Sequence, residues 1–434
     1  MSTSPSWTPS WIAPPQPTWS GDFALPTLLP FQLNDQTLRQ PLRLSLGGER
    51  LRIEFSNEHG SVPLRLAASS VARAGTAGSA RVLAGSTRAL RFGGEASITI
   101  PPGARAVSDP VDLPTRDLER LAVSLYVDGP TAPSTFHWEG REIAFLAPGD
   151  RTAHAEWPDR SAERSTEGSA TGSTEGSAAD SAEGSAEHSP AGLLSTRVFL
   201  SAVLVERRAP PVVVVALGDS ITDGNGATPG ADRRWPDRLA ERLAPRGVAV
   251  LNAGNSGGRL LSDGMGRAAL TRMPRDVLGH AGVRAVVVLL GTNDIGWPGG
   301  PFAPQEAPMT ADRVIAGLRQ LAAQAAAANV RVIVATIPPN EEALAGTPLV
   351  GHHSEAKDRV RQDVNAWIRE HGARDGFHGI FDGVFDVDAL LRDPARPSRL
   401  APAMDSGDHL HPGDAGYARM AEALDLDALL GERP

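Results

Sequence analysis

The hydrophobic rhythm of the chain changes near its middle. In residues 1–160 apolar and polar positions alternate: Leu51, Ile53 and Phe55 are separated by Arg52 and Glu54, and Leu121, Val123 and Leu125 repeat the period. A period of two is that of strands with one buried face. PLRLSL (41–46), ALRF (89–92) and SITI (97–100) read as further short strands between Gly- and Pro-rich turns. VFLSAVLV (198–205) has the same character and is expected to complete the same sheet. The expectation for residues 1–209 is an all-β, jelly-roll-like sandwich. After Pro210 and Pro211 the runs become apolar on both faces: VVVVAL (212–217), VAVLN (248–252), AVVVLL (285–290) and RVIVATI (331–337). Helical stretches at 232–243, 311–328, 354–371 and 412–430 alternate with them. This predicts a second domain over 210–434, an α/β domain with a parallel sheet covered by helices.

Between the two patterns, residues 161–190 contain no Val, Ile, Leu or aromatic residue, and STEGSA occurs twice, at 165–170 and 173–178. Such a stretch cannot bury enough surface to offset its ordering entropy, so it reads as a disordered, solvated loop within the first domain. Six acids against Arg164 give it −5 of the chain's net −9. The charge thus reports the spacer more than any partner, and no concentrated positive patch suits nucleic acid or an anionic membrane. There is no apolar run near 20 residues, so no membrane span is expected. MSTSPSWTPSWIAPP lacks a basic segment followed by an apolar one. That predicts a cytoplasmic protein by sequence, and a secreted one if a leader has been removed.

With no cysteine in 434 residues, disulfides, zinc fingers, iron–sulfur clusters and thiol catalysis are excluded. Other chemistry gathers after the predicted parallel strands, where ligands bind in such sheets. The first strand runs into Gly218-Asp219-Ser220-Ile221-Thr222-Asp223-Gly224. A serine there is either a helix cap or a nucleophile at the positive end of a helix, and the tripeptide alone does not decide. The second strand is followed by Asn252-Ala253-Gly254-Asn255-Ser256-Gly257-Gly258, whose glycines let a backbone N–H approach a ligand. The third is followed by Gly291-Thr292-Asn293-Asp294, which brings a side-chain amide to the same rim. In Asp408-His409-Leu410-His411-Pro412 the three-residue spacing puts Asp408 and His411 on one face of a turn. Asp408 can then orient His411 while His411 takes a proton from a serine, and His409 points elsewhere.

Together and in this order, the four blocks resemble the SGNH (GDSL) hydrolase superfamily of serine esterases. The resemblance spans 211–434 and implies a flavodoxin-like three-layer domain that needs no cofactor. It implies Ser220 as nucleophile, His411 as general base, Asp408 as the residue that holds the imidazole, and Ser220, Gly257 and Asn293 as the oxyanion hole. Asn255 stands where the family commonly has an apolar residue before Ser-Gly. The opening WTPSWIAPPQPTW and TLRQPLRLSLGGERLRIEFSNEHG resemble the β-sandwich that precedes some carbohydrate-directed esterases of this superfamily. The expected function is hydrolysis of short acyl esters, acetyl foremost, on a carbohydrate or another small molecule. A broad short-chain or aryl esterase or lipase without sugar preference is the alternative.

Asp219, Arg259 and Trp297 are the candidate substrate contacts, Trp297 because its Gly/Pro-rich loop can overhang the substrate. Trp7, Trp11, Trp19 and Trp138 either stack on sugars or pack the sandwich and the seam. Gly254–Gly258 also fits G-x-S-x-G, with Ser256 as a rival nucleophile that would leave the first and third blocks without roles. A glycan-binding protein with a vestigial hydrolase domain is the reading from another class. His352 and His353 with Asp382, Asp386 and Asp388 suggest a metal only weakly: adjacent histidines in a Gly/Ser loop read as exposed linker residues, and no third ligand is visible. The expectation is therefore no metal.

Overall fold

The computed structural model describes residues 5–19, 21, 23–157, 192–372 and 379–431. The acidic spacer at 161–190 lies outside them. The first half is built on two large antiparallel sheets, with smaller two- and three-stranded ones beside them. One runs in the order Ser6–Ile12, Leu200–Arg207, Leu51–Ser56, Arg105–Val107. The other runs Gly192–Leu194, Ala144–Pro148, Gln36–Arg43, Arg120–Val127, Ala68–Arg73, Arg88–Ala89. Ile53, Phe55, Val203 and Val205 of the first meet Leu38, Leu42, Val123 and Leu125 of the second in one core, which makes the pair a sandwich. Leu200–Arg207 lies between Ser6–Ile12 and Leu51–Ser56, completing the sheet from beyond the spacer.

Two strands depart from the alternation rule. The strand expected at 41–46 instead occupies Gln36–Arg43, and its polar residues other than Arg43 are buried. Gln40 exchanges two 2.9 Å hydrogen bonds with the Val198 backbone, and Arg39 donates to Ser124 Oγ and to the carbonyls of Ala80 and His154. Polar side chains can line a core when every donor finds a partner, and these partners are remote in sequence. Ser6–Ile12 likewise gives no periodic signal and is shaped by pairing, with a bulge between Pro9 and Trp11.

The second half is a five-stranded parallel sheet in the order Ala249–Gly254, Val213–Gly218, Val283–Leu289, Arg331–Ala335, Gly383–Phe385. Helices Trp235–Leu243 and Asp414–Ala423 pack on one face through Trp235, Leu239, Tyr417 and Met420. Ala311–Ala327 and Glu355–His371 pack on the other through Val314, Leu321, Val364 and Ile368. The strand order, with the first strand inside its successor, is the flavodoxin-like one. The stretch expected to be one helix over 412–430 is two, because Asp425 caps Leu426–Leu430 by accepting the N–H groups of Asp427 and Ala428. Gly383–Phe385 is too short to announce itself.

The halves are fused along an edge. Ala249–Gly254 is an outer strand of the parallel sheet, and its Val250 N–H donates to Ser45 Oγ of the sandwich at 2.7 Å. Ile12, Leu46 and Ala202 join the same apolar cluster as Val213, Val215 and Leu251. The sandwich therefore covers a strand edge that would otherwise present unpaired groups. Among the described residues, no helix is long and apolar enough to cross a membrane.

Candidate active site

Parallel register brings three of the four blocks to one level. Gly218 pairs with Gly254 on one side and Leu289 on the other, so the turns that follow these strands start side by side. Asp219 caps the short helix Ser220–Asp223 by accepting from the Ile221 N–H at 3.0 Å. Ser220 follows directly. Its Oγ donates to His411 Nε2 at 2.8 Å, and His411 Nδ1 donates to Asp408 Oδ2 at 2.6 Å. Asp408 Oδ1 accepts the backbone N–H groups of Leu410 and His411 at 2.9 and 2.8 Å. Burial opposes ionisation of Asp408, but these hydrogen bonds and the charge of His411 outweigh it and hold the carboxyl well below the usual range. His409 turns away on a left-handed backbone and pairs with Asp405.

The second block wraps beside Ser220. Gly258 N–H is spent on Asn255 O at 2.7 Å, whereas the N–H groups of Ser220 and Gly257 meet no acceptor among the described residues. Gly257 has φ +69°, and a Cβ there would stand 2.4 Å from Met265 Sδ and 3.0 Å from Trp297, so only glycine fits. Ser256, the rival nucleophile, donates to Asp223 Oδ2 at 2.8 Å and has no histidine partner among the described residues. Asn255 is wholly buried, and neither end of its amide has a partner among the described residues.

From the third block, Asn293 Nδ2 donates to Gly258 O at 3.0 Å, which brings its amide to the same rim. Asp294 ties the blocks together by accepting the N–H groups of Leu260 and Leu261 at 2.8 and 3.0 Å. Beneath the strand ends lies a buried guanidinium. Arg272 donates to the carbonyls of Gly218 and Ala253, each at 2.7 Å, and pairs with Asp276. Arg275 extends this to Glu58 of the sandwich.

The three candidate substrate contacts are all buried. Arg259 is held by Glu306 at 2.7 Å and lies 5.0 Å over the Trp297 ring. Trp297 does not overhang; it stacks on Phe302 within a cluster that includes Met265, Ala303, Trp19, Phe23 and Trp138. The four tryptophans weighed as sugar platforms divide. Trp7 stacks with Arg52, and Trp11 packs against the sandwich core. Trp19 and Trp138 reach the wall beside Gly257.

Asp219 is pushed up to about 7 by burial, which outweighs its hydrogen bond from Ile221 and the charge of His411. A carboxyl raised in the folded state contributes stability that is complete below its unfolded value of about 4 and is lost as pH rises towards 7. Asp219→Asn keeps the cap and removes the titration. The variant should gain on the wild type by up to about 4 kcal/mol between about pH 4 and pH 8. Denaturation midpoints across that range check this, and a constant difference would rule out the buried proton.

Sequence reading missed two contacts. His137 of the sandwich places Nε2 2.9 Å from Asp223 and Nδ1 3.1 Å from Pro14 O, bracing the turn that carries Ser220. His352 is not an exposed linker residue: it is buried, with Nε2 3.2 Å from Asn293 Oδ1. Neither has a local signal beyond being a histidine near glycine. The other weighed metal candidates are engaged elsewhere, Asp386 and Asp388 by Arg369 and Arg361, and Asp382 by Arg331. Among the described residues, no three His, Asp or Glu side chains come together as a metal site.

A parallel sheet with a Ser–His–Asp row along the carboxyl ends of its strands has the architecture of a serine hydrolase. Residues 216–419 match the model of the GDSL-like Lipase/Acylhydrolase family, so a GDSL-like lipase/acylhydrolase domain occupies that stretch of the chain. No curated protein matches the chain. Similar solved structures include an aryl esterase of M. smegmatis (19% identity, 50% of this chain and 100% of that one, TM-score 0.37). They also include a carbohydrate acetylesterase family member from Sinorhizobium meliloti (20%, 51% and 99%, 0.37) and a GDSL-like lipase from Bacteroides thetaiotaomicron (21%, 51% and 91%, 0.36).

Proposed function

We propose that the protein hydrolyses short acyl esters, acetyl foremost, on a carbohydrate. The observation that carries this is the row Ser220–His411–Asp408, with contacts of 2.8 and 2.6 Å, beside the unspent N–H groups of Ser220 and Gly257. Ser220 Oγ attacks the ester carbonyl while His411 Nε2 takes its proton, and Asp408 stays ionised and steadies the imidazolium. The carbonyl oxygen becomes an oxyanion held by the Ser220 and Gly257 N–H groups and the Asn293 amide. Collapse breaks the C–O bond, and His411 returns its proton to the departing alcohol. Water, activated by His411, then releases the acid from Ser220.

A short acyl group suits Gly257, because Met265 and Trp297 crowd that side. Half-buried Trp19 and Trp138 support a sugar ring as the alcohol. In this reading Arg259 and Trp297 shape the wall and Asp219 caps the helix that carries Ser220, none of them touching substrate. The same aromatic wall favours an aryl ester as the second reading. Acetate release from acetylated sugars and simple aryl acetates, compared for wild type, Trp19→Ala and Trp138→Ala, tests the choice. Sugar preference should fall in both variants while aryl turnover persists. Equal use of both substrate sets by the wild type would favour the aryl reading, and no hydrolysis of either would leave a binding protein.

A further inference from the structure

The oxyanion donor Asn293 is itself held by a chain of buried groups. Gly258 O can only accept, so the edge of the Asn293 amide facing it is Nδ2, at 3.0 Å. That turns Oδ1 towards His352 Nε2 at 3.2 Å, and Nε2 must then carry the ring proton. His352 Nδ1 is left as an acceptor, and Asn340 Nδ2 donates to it at 3.2 Å. One carbonyl thus sets the orientation of two carboxamides and the tautomer of the imidazole between them. The alternative arrangement would bring Asn293 Oδ1 against Gly258 O, two acceptors with no proton between them.

Packing keeps the ring in place. Gly296 closes the helix Thr292–Gly296 that carries Asn293, and a Cβ there would fall 2.2 Å from His352 Cε1, so the imidazole lies flat on that backbone. Lys357, the one lysine of the chain, donates to Gly296 O and Gly351 O at 2.7 and 2.8 Å, binding the helix end to the residue before His352. Burial, with smaller contributions from the charges of Lys357, His411 and His353, pushes His352 down to about 3. It therefore stays neutral while His411 does the proton transfer.

We infer that His352 is a positioning residue for the oxyanion hole: its Nε2–H fixes the Asn293 carboxamide by Oδ1, so that Nδ2 is the edge turned to the substrate oxygen. This rests on the role proposed for Asn293. It acts on the transition state alone, because the oxygen bears its charge only there.

The test is steady-state hydrolysis of a short-chain nitrophenyl ester by full-length wild type, His352→Gln, His352→Phe, Asn340→Ala, Asn293→Ala and the double variant His352→Phe/Asn293→Ala. Glutamine can donate to Asn293 Oδ1 and accept from Asn340; phenylalanine fills the space and does neither. Asn293→Ala should lower kcat about 100- to 1,000-fold. His352→Phe should lower kcat by about 10- to 100-fold with KM within about twofold, and His352→Gln should recover most of it. In the Asn293→Ala background His352→Phe should cost less than about threefold more. Asn340→Ala, which keeps the imidazole, should show a smaller kcat loss and decides the matter if His352→Phe does not fold. Additive losses in the double variant, an unrescued His352→Gln, or unchanged kcat in both His352→Phe and Asn340→Ala would overturn the inference with Asn293 still catalytic. Unchanged kcat in Asn293→Ala would instead remove the oxyanion role itself, and the inference with it.

Discussion

Replacing Ser220 by alanine is expected to lower kcat by on the order of 10⁶-fold with the fold intact. The side chain is buried, and its hydroxyl bonds His411, so alanine removes the proposed nucleophile without leaving a large void. A residual acceleration of about 10³- to 10⁴-fold over water should survive, because the proposed oxyanion donors remain. Adding His411→Ala should cost little more, since a base without its nucleophile has nothing to activate. Nitrophenol release measures the loss, and a fluorophosphonate probe with peptide mapping locates the nucleophile. Modification at Ser256 would transfer the role to the rival, although its hydroxyl is held by Asp223.

Asp408→Asn should lower kcat by on the order of 10⁴-fold. The reason lies in how the carboxylate is pinned. Oδ1 accepts two backbone N–H groups, from Leu410 and His411, and in asparagine only the carbonyl oxygen can take that position. The amide NH₂ is then forced towards His411 Nδ1, which must lose its proton to accept. Nε2 becomes protonated and faces Ser220 Oγ as a donor, unable to take a proton from it. The effect should appear in kcat with little change in KM, and Asp408→Ala should be no worse despite the larger deletion. A kcat within about tenfold of wild type in Asp408→Asn would mean that the carboxylate does not set the tautomer.

Where a feature depends on residues adjacent in the chain, it is legible in the sequence. The four parallel strands flagged by their apolar runs lie within a residue or two of their expected limits, because a strand buried on both faces leaves few polar positions. The pairing of Asp408 with His411 follows from three-residue spacing alone. Polar strands such as Gln36–Arg43 do not announce themselves, because their burial depends on partners at Ser124 and Val198. Loop position suggests rim residues in Arg259 and Trp297, but exposure is a property of packing, and both are buried.

Patterns local to the chain suffice for the parallel α/β half, the order of the four blocks and, through the absence of cysteine, serine as the nucleophile to seek. The groups that brace the proposed site come together through long-range packing. His352 meets Asn293 across 59 residues and His137 meets Asp223 across 86, each joining separately formed elements. Local periodicity encodes how a segment buries its own face. Which donor then meets which acceptor is set by how those faces stack, and that is specified only when the whole chain has packed.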